Sequence, residues 1–135
     1  MDCQRKRMVW LMMLVACATL LAVRTASARE LVSGRYISSA GKNIVLDLEV
    51  KGPSAANLIV HQFLPPEVGI VSSTPPAMKF DPKLGRAQWL MKKVAPGKIR
   101  IAMELTESIP PGSIRAEVRC RDQETGQMMD ITINP

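Results

Sequence analysis

One histidine must serve every imidazole-dependent scheme this 135-residue chain could run, and it is His61. In Val60-His61-Gln62 it falls on the side of an alternating run opposite Leu58 and Leu64, so a surface or rim position is expected. A Ser-His-Asp or Cys-His arrangement would need His61 brought to a nucleophile, and no Gly-x-Ser-x-Gly elbow is present in the sequence. Paired carboxylates such as Glu104 and Glu117 take outward strand positions, where solvated charge is expected. No catalytic residue is assigned.

Metal chemistry fares no better. A blue-copper centre needs two His and one Cys with a weak Met ligand, and one His rules it out. A Cu(I) thioether site could draw on Met78, Met91, Met103, Met128 and Met129. Of these, Met91, Met103 and Met129 fall on inward positions and read as core filler. Met78 and Met128 are left, and no Met-x-x-Met or His-x-Met spacing joins them to each other or to His61. No cofactor and no metal ligand is expected. Of the three cysteines, Cys3 and Cys17 lie in the N-terminal segment. Cys120 closes the run Ile114-x-Ala116-x-Val118-x-Cys120 on its apolar side and reads as a small buried hydrophobe, with a reactive or intermolecular thiol as the alternative.

Charge is what remains. Arg115, Arg119 and Arg121, with Lys98 and Arg100, take outward positions on two strands expected to lie side by side. They read either as a solvated face partly balanced by Glu104 and Glu117, or as a contact surface for acidic polysaccharide, phospholipid headgroups or an acidic protein.

The elements that carry these residues are strands. Apolar residues recur at every second place, and helical periodicity never persists for three turns. Ile44, Leu46, Leu48 and Val50 face one way against Asp47, Glu49 and Lys51, until Gly52-Pro53-Ser54 breaks the run. Leu58, Val60, Gln62 and Leu64 form the next inward row, ended by Pro65-Pro66. A short strand is expected over Ile70 to Ser73, and Ala87, Trp89 and Met91 then face inward. Ala95-Pro96-Gly97 leads into the cleanest alternation, Ile99, Ile101, Met103 and Leu105. Pro110-Pro111-Gly112 leads into Ile114 to Cys120. Glu124-Thr125-Gly126 makes a hairpin turn into Met129, Ile131 and Ile133. With a strand near Leu31 to Ile37, this predicts an all-β, Ig-like antiparallel β-sandwich of seven or eight strands after an N-terminal signal segment. One apolar face per strand argues against a parallel sheet buried on both sides. Trp89 is placed in the core with Leu48, Val60, Ile101 and Val118.

That signal segment is residues 1–28, and residues 29–135 are expected to form one domain. Arg5, Lys6 and Arg7 precede the sixteen apolar residues from Met8 to Val23, and Ala26-Ser27-Ala28 fits small-x-small cleavage before Arg29. The apolar run is shorter than the roughly 20 residues a spanning helix needs, so no transmembrane helix is expected after cleavage. A second processing site competes: Leu14-Val15-Ala16-Cys17 fits the bacterial lipobox, which would lipidate Cys17 and make the protein a peripheral membrane lipoprotein. The apolar run continues past Cys17, which weighs against it. Four of the 18 Lys/Arg and one of the 12 Asp/Glu lie in residues 1–28, leaving 14 against 11 beyond them. The net charge of +6 therefore halves, and with no Lys/Arg cluster interleaved with aromatics, no nucleic-acid partner is expected.

The run from Ile44 to Gly97 resembles the bacterial conserved-repeat module, catalogued as domain of unknown function eleven. The resemblance rests on the strand before Gly52-Pro53-Ser54, the phrase Ala55-x-Asn57-Leu58-x-Val60 leading to Leu64-Pro65, and Trp89 leading to Ala95-Pro96-Gly97 and a long strand. It extends to about Cys120. Gln62 stands where the family usually has Asp, Lys51 stands where Asn commonly precedes Gly-Pro-Ser, and the family usually occurs in tandem arrays. The resemblance implies an Ig-like sandwich of secreted and envelope proteins and carries no catalytic residues. The function expected is an exported, non-enzymatic structural or protein-binding module of the bacterial periplasm or cell surface, with an envelope protein or acidic glycan as partner. The alternative is a small periplasmic ligand or metal carrier.

Overall fold

A computed structural model describes residues 30–135; the expected signal segment and both candidate processing sites, before Arg29 and at Cys17, lie outside the described residues. Nine strands form: β1 (Val32–Ser38), β2 (Gly41–Val50), β3 (Ala56–Phe63), β4 (Ile70–Thr74), β5 (Lys79–Asp81), β6 (Arg86–Val94), β7 (Gly97–Ile109), β8 (Arg115–Asp122) and β9 (Met128–Ile133). They pair antiparallel in two sheets, a four-stranded one ordered β1-β2-β7-β4 and a five-stranded one ordered β5-β6-β3-β8-β9. This is the all-β antiparallel sandwich the alternation predicts. In space the first sheet has the A-B-E-D order of an Ig sandwich, and β9-β8-β3-β6 has the G-F-C-C′ order. But β4, in the place of D, precedes β6, in the place of C′, so the connectivity departs from that of an Ig domain. The strand number is nine rather than seven or eight. The strand missing from the expectation is β5, whose three residues are too few to display a period. No helix among the described residues is long and apolar enough to cross a membrane.

Alternation and burial coincide. Ile44, Leu46, Leu48 and Val50 of β2 and Ile101, Met103 and Leu105 of β7 meet Leu58, Val60, Ala87, Trp89, Ala116, Val118 and Cys120 from the other sheet in one buried core. Val60 lies between Trp89 and Val118 across three adjacent strands, so the centre of the larger sheet is a row of apolar side chains abreast. Met103 is buried as expected, whereas Met91 and Met129 only flank the core half-buried.

Two polar side chains interrupt this interior, and both are satisfied. The Gln62 amide donates to the backbone oxygens of Phe63 and Arg115 at 3.0 Å each, and its Oε1 accepts from the Tyr36 hydroxyl at 2.8 Å. That hydroxyl reaches over from β1, so the pair ties the two sheets together. Asp122 ends β8 on the inward side. Its carboxylate accepts from the backbone N–H groups of Glu124 and Thr125 at 2.9 Å and from the Ser54 hydroxyl at 2.7 Å. Ser54 belongs to the Gly-Pro-Ser break, and so the break pins the β2–β3 connection to the β8–β9 hairpin. Asn57 has a comparable task. Its Oδ1 accepts from the N–H of Lys93, which holds a left-handed φ of 53° in a bulge of β6, and from the Gln123 side chain. Gly85 turns β5 into β6 at φ 61°, where a Cβ would overlap the carbonyl oxygen of Leu64.

The Thr125 N–H and the Ser54 hydroxyl hold the Asp122 carboxyl below the usual carboxylate range. A carboxyl whose folded pKa is depressed stabilises the fold above its unfolded pKa, and that contribution is lost as pH falls through the folded value. Asp122→Asn keeps the acceptor oxygen and removes the charge. The variant is expected to melt below the wild type at pH 7, and the gap should close as pH falls below about 4. Parallel thermal melts from pH 7 to pH 2 check this, and a gap that stays constant across the series would refute it.

Candidate interaction surface

The register of the five-stranded sheet places its outward side chains in rows. Arg86, Phe63 and Arg115 lie abreast in the first row, and Gln88, His61, Glu117 and Thr132 in the second. Leu90, Ile59, Arg119 and Asp130 make the third, and Asn57, Arg121 and Met128 the fourth. This arrangement follows from β3 lying between β6 and β8, each pairing it residue for residue over most of its length.

Several of these side chains hold one another in place. The Arg115 guanidinium lies 4.4 Å from the centroid of the Phe63 ring, a cation–π distance, and 3.8 Å from the Glu117 carboxylate. Arg119 Nε donates to Asp130 Oδ1 at 2.9 Å. Arg86 and Arg121 make no ion pair with any of the described residues. Half-buried His61 stands between Gln88 and Glu117, at the edge of a shallow depression of about 400 Å³ that also takes in Ile59, Arg119, Asp130 and Thr132. Among the described residues, no group of three His, Cys, Asp or Glu is placed to hold a metal ion. Cys120 is a buried free thiol, and burial pushes its pKa up, which keeps it a thiol rather than a nucleophilic thiolate.

Comparison with known protein families and with curated proteins finds no match.

The expected basic patch is corrected by the topology. Arg115, Arg119 and Arg121 share the outer face of the five-stranded sheet, but Lys98 and Arg100 lie on β7 in the other sheet. The two strands are not adjacent, because residues 110–114 carry the chain from one sheet to the other instead of closing a hairpin. Lys98 and Arg100 also sit among acids. Arg100 makes a two-point bond to Asp47 at 2.7 and 2.9 Å, and Lys98 lies abreast of Glu49. The Arg100 guanidinium holds the Asp47 carboxyl below the usual range. The five-stranded face gains Arg86 and Phe63 instead. Both have outward parity that can be read from the sequence, but only the register shows them level with Arg115.

The sheet edges differ. β1 and β9 come together at one side, where the Leu31 N–H lies 3.4 Å from Met129 Sδ and Gly34 packs under Ile133. On the other side β4 pairs with β7 alone, with a bulge between Ile70 and Ser72 and Val71 62% exposed.

Proposed function

We propose that this protein is an exported, non-enzymatic binding module of the bacterial cell envelope, of the conserved-repeat type. It has two separate surfaces for partners, the outer face of the five-stranded sheet and the open edge of β4 in the other sheet. The observation that carries this reading is the row arrangement itself: arginines, a histidine and hydrogen-bonding side chains are displayed side by side on a sheet whose other face is committed to the core. Such a rigid platform presents groups to a partner without enclosing a reactant. The β4 edge adds main-chain donors and acceptors that a partner strand can extend. The N-terminal segment and the turn phrases shared with the module support the envelope location.

Photo-cross-linkers placed at Gln88, Thr132, Ser72 and Glu49 test the proposal in native envelope fractions. Discrete cross-linked species are expected from Gln88 or Thr132 and from Ser72, and none from Glu49 on the opposite face. Mass spectrometry of the same fractions is expected to find a mature N-terminus at Arg29. A diacylglyceryl-modified Cys17 would instead place the module on a membrane surface. The carrier reading prevails if no cross-linked species forms and a small molecule or metal ion co-purifies in stoichiometric amount.

A further inference from the structure

The outer face of the five-stranded sheet alternates two chemistries along its strands. The middle row, Gln88, His61, Glu117 and Thr132, consists of side chains that donate and accept hydrogen bonds. Cations flank it: Arg86 and Arg115 two residues away in one direction, Arg119 and then Arg121 in the other. At about 3.4 Å per residue, Arg115 and Arg121 are about 20 Å apart along β8. With Asp81 and Lys79 of β5 abreast of Arg86 and Gln88, the four rows contain five cations against three carboxylates, Asp81, Glu117 and Asp130, so the face is net positive. The apolar content is confined to Ile59, Leu90, Met128 and a Phe63 ring already covered by Arg115, which is too little for the anchor of a protein–protein core.

We infer that this face binds a carboxylated polysaccharide laid along β8. The inference rests on the binding role proposed above and adds the ligand class and the residues that read it. Sugar hydroxyls exchange hydrogen bonds with Gln88, Glu117 and Thr132 in the 400 Å³ depression. Uronate-type carboxylates then meet Arg115 on one side and Arg121 on the other, with Arg86 widening the first site. The Phe63 ring and Glu117 hold the Arg115 fork, so little side-chain freedom is lost when it takes up a carboxylate. Arg119 is engaged by Asp130 and steers more than it binds.

Calorimetric titration of the purified protein with polygalacturonate, dextran and poly-L-glutamate decides the matter. Binding to polygalacturonate is expected, weakening with added salt, with no binding to neutral dextran. Arg86→Gln/Arg115→Gln/Arg121→Gln is expected to weaken binding at least about tenfold, the loss of charge-assisted bonds. Lys98→Gln/Arg100→Gln, on the opposite face, should stay within about twofold of wild type. Circular dichroism melts establish that both variants fold. The inference falls if polygalacturonate does not bind or if the losses of the two variants follow the charges removed, three against two, the mark of net charge alone. It also falls if poly-L-glutamate binds as tightly, which would assign the face to an acidic polypeptide. In each of these cases the cross-links from Gln88, Thr132 and Ser72 still report separately on whether the protein is a binding module.

Discussion

Trp89→Ala is expected to lower the free energy of unfolding by about 3–5 kcal/mol, the cost of emptying a large aromatic site in a core. Trp89 is 2% exposed, stands beside Val60 on the neighbouring strand, and donates its indole N–H to the Pro75 carbonyl at 2.8 Å. Truncation therefore removes packing from the centre of the larger sheet. It also removes the indole bond to the Pro75 carbonyl in the connection from β4 to β5, leaving that carbonyl the Ser73 hydroxyl alone. Domains of this size are stable by only about 5–15 kcal/mol, and among the described residues no disulfide shares the load. Urea melts followed by circular dichroism suit the measurement, because Trp89 is itself the tryptophan a fluorescence probe would use. Trp89→Phe keeps one ring and loses the indole bond and part of the buried volume, and it should fall between wild type and Trp89→Ala. An alanine variant that melts within a few degrees of wild type would show that the core does not depend on this ring.

Gln62→Leu is expected to cost about 1–3 kcal/mol for each buried group it strands. The substitution keeps the volume roughly constant and removes one acceptor and two donors. The Tyr36 hydroxyl and the carbonyl of Arg115 lose their partner in the interior between the sheets. Tyr36→Phe alone should cost less, and adding it to Gln62→Leu should recover part of the loss, since removing both partners costs less than leaving one unsatisfied. Strict additivity in this double-mutant cycle would mean that the two side chains do not work as a pair. Burial raises the Tyr36 pKa above the ordinary tyrosine value. The folded state keeps the phenol protonated while the unfolded chain ionises above about pH 10, so stability falls as pH rises beyond that point. Tyr36→Phe should remove that alkaline loss.

The pattern of single residues determined a good deal. Alternation set which face of each strand is buried, and the core of Leu48, Val60, Trp89, Ile101 and Val118 follows from it, because side chains on a strand project to opposite sides by covalent geometry. Thr125-Gly126 marked the β8–β9 hairpin, since a left-handed turn position favours glycine, and Gly126 takes φ 70°. Gln62 was legible as a polar residue on an inward row. Asp122 continues the inward parity of Ala116, Val118 and Cys120, so its burial too was within reach of the alternation. Only the tertiary structure decided who their partners are. Tyr36 meets Gln62 from 26 positions away and Ser54 meets Asp122 from 68, and no local spacing encodes such encounters. The same limit divided the basic residues. A period of two reports the face a side chain takes but not the neighbour its strand acquires. The segment at Pro110-Pro111-Gly112 reads alike whether it closes a hairpin or crosses between sheets. Packing two apolar faces against each other sent β7 and β8 to different sheets, leaving Lys98 and Arg100 among carboxylates and setting Arg115 level with Phe63 and Arg86.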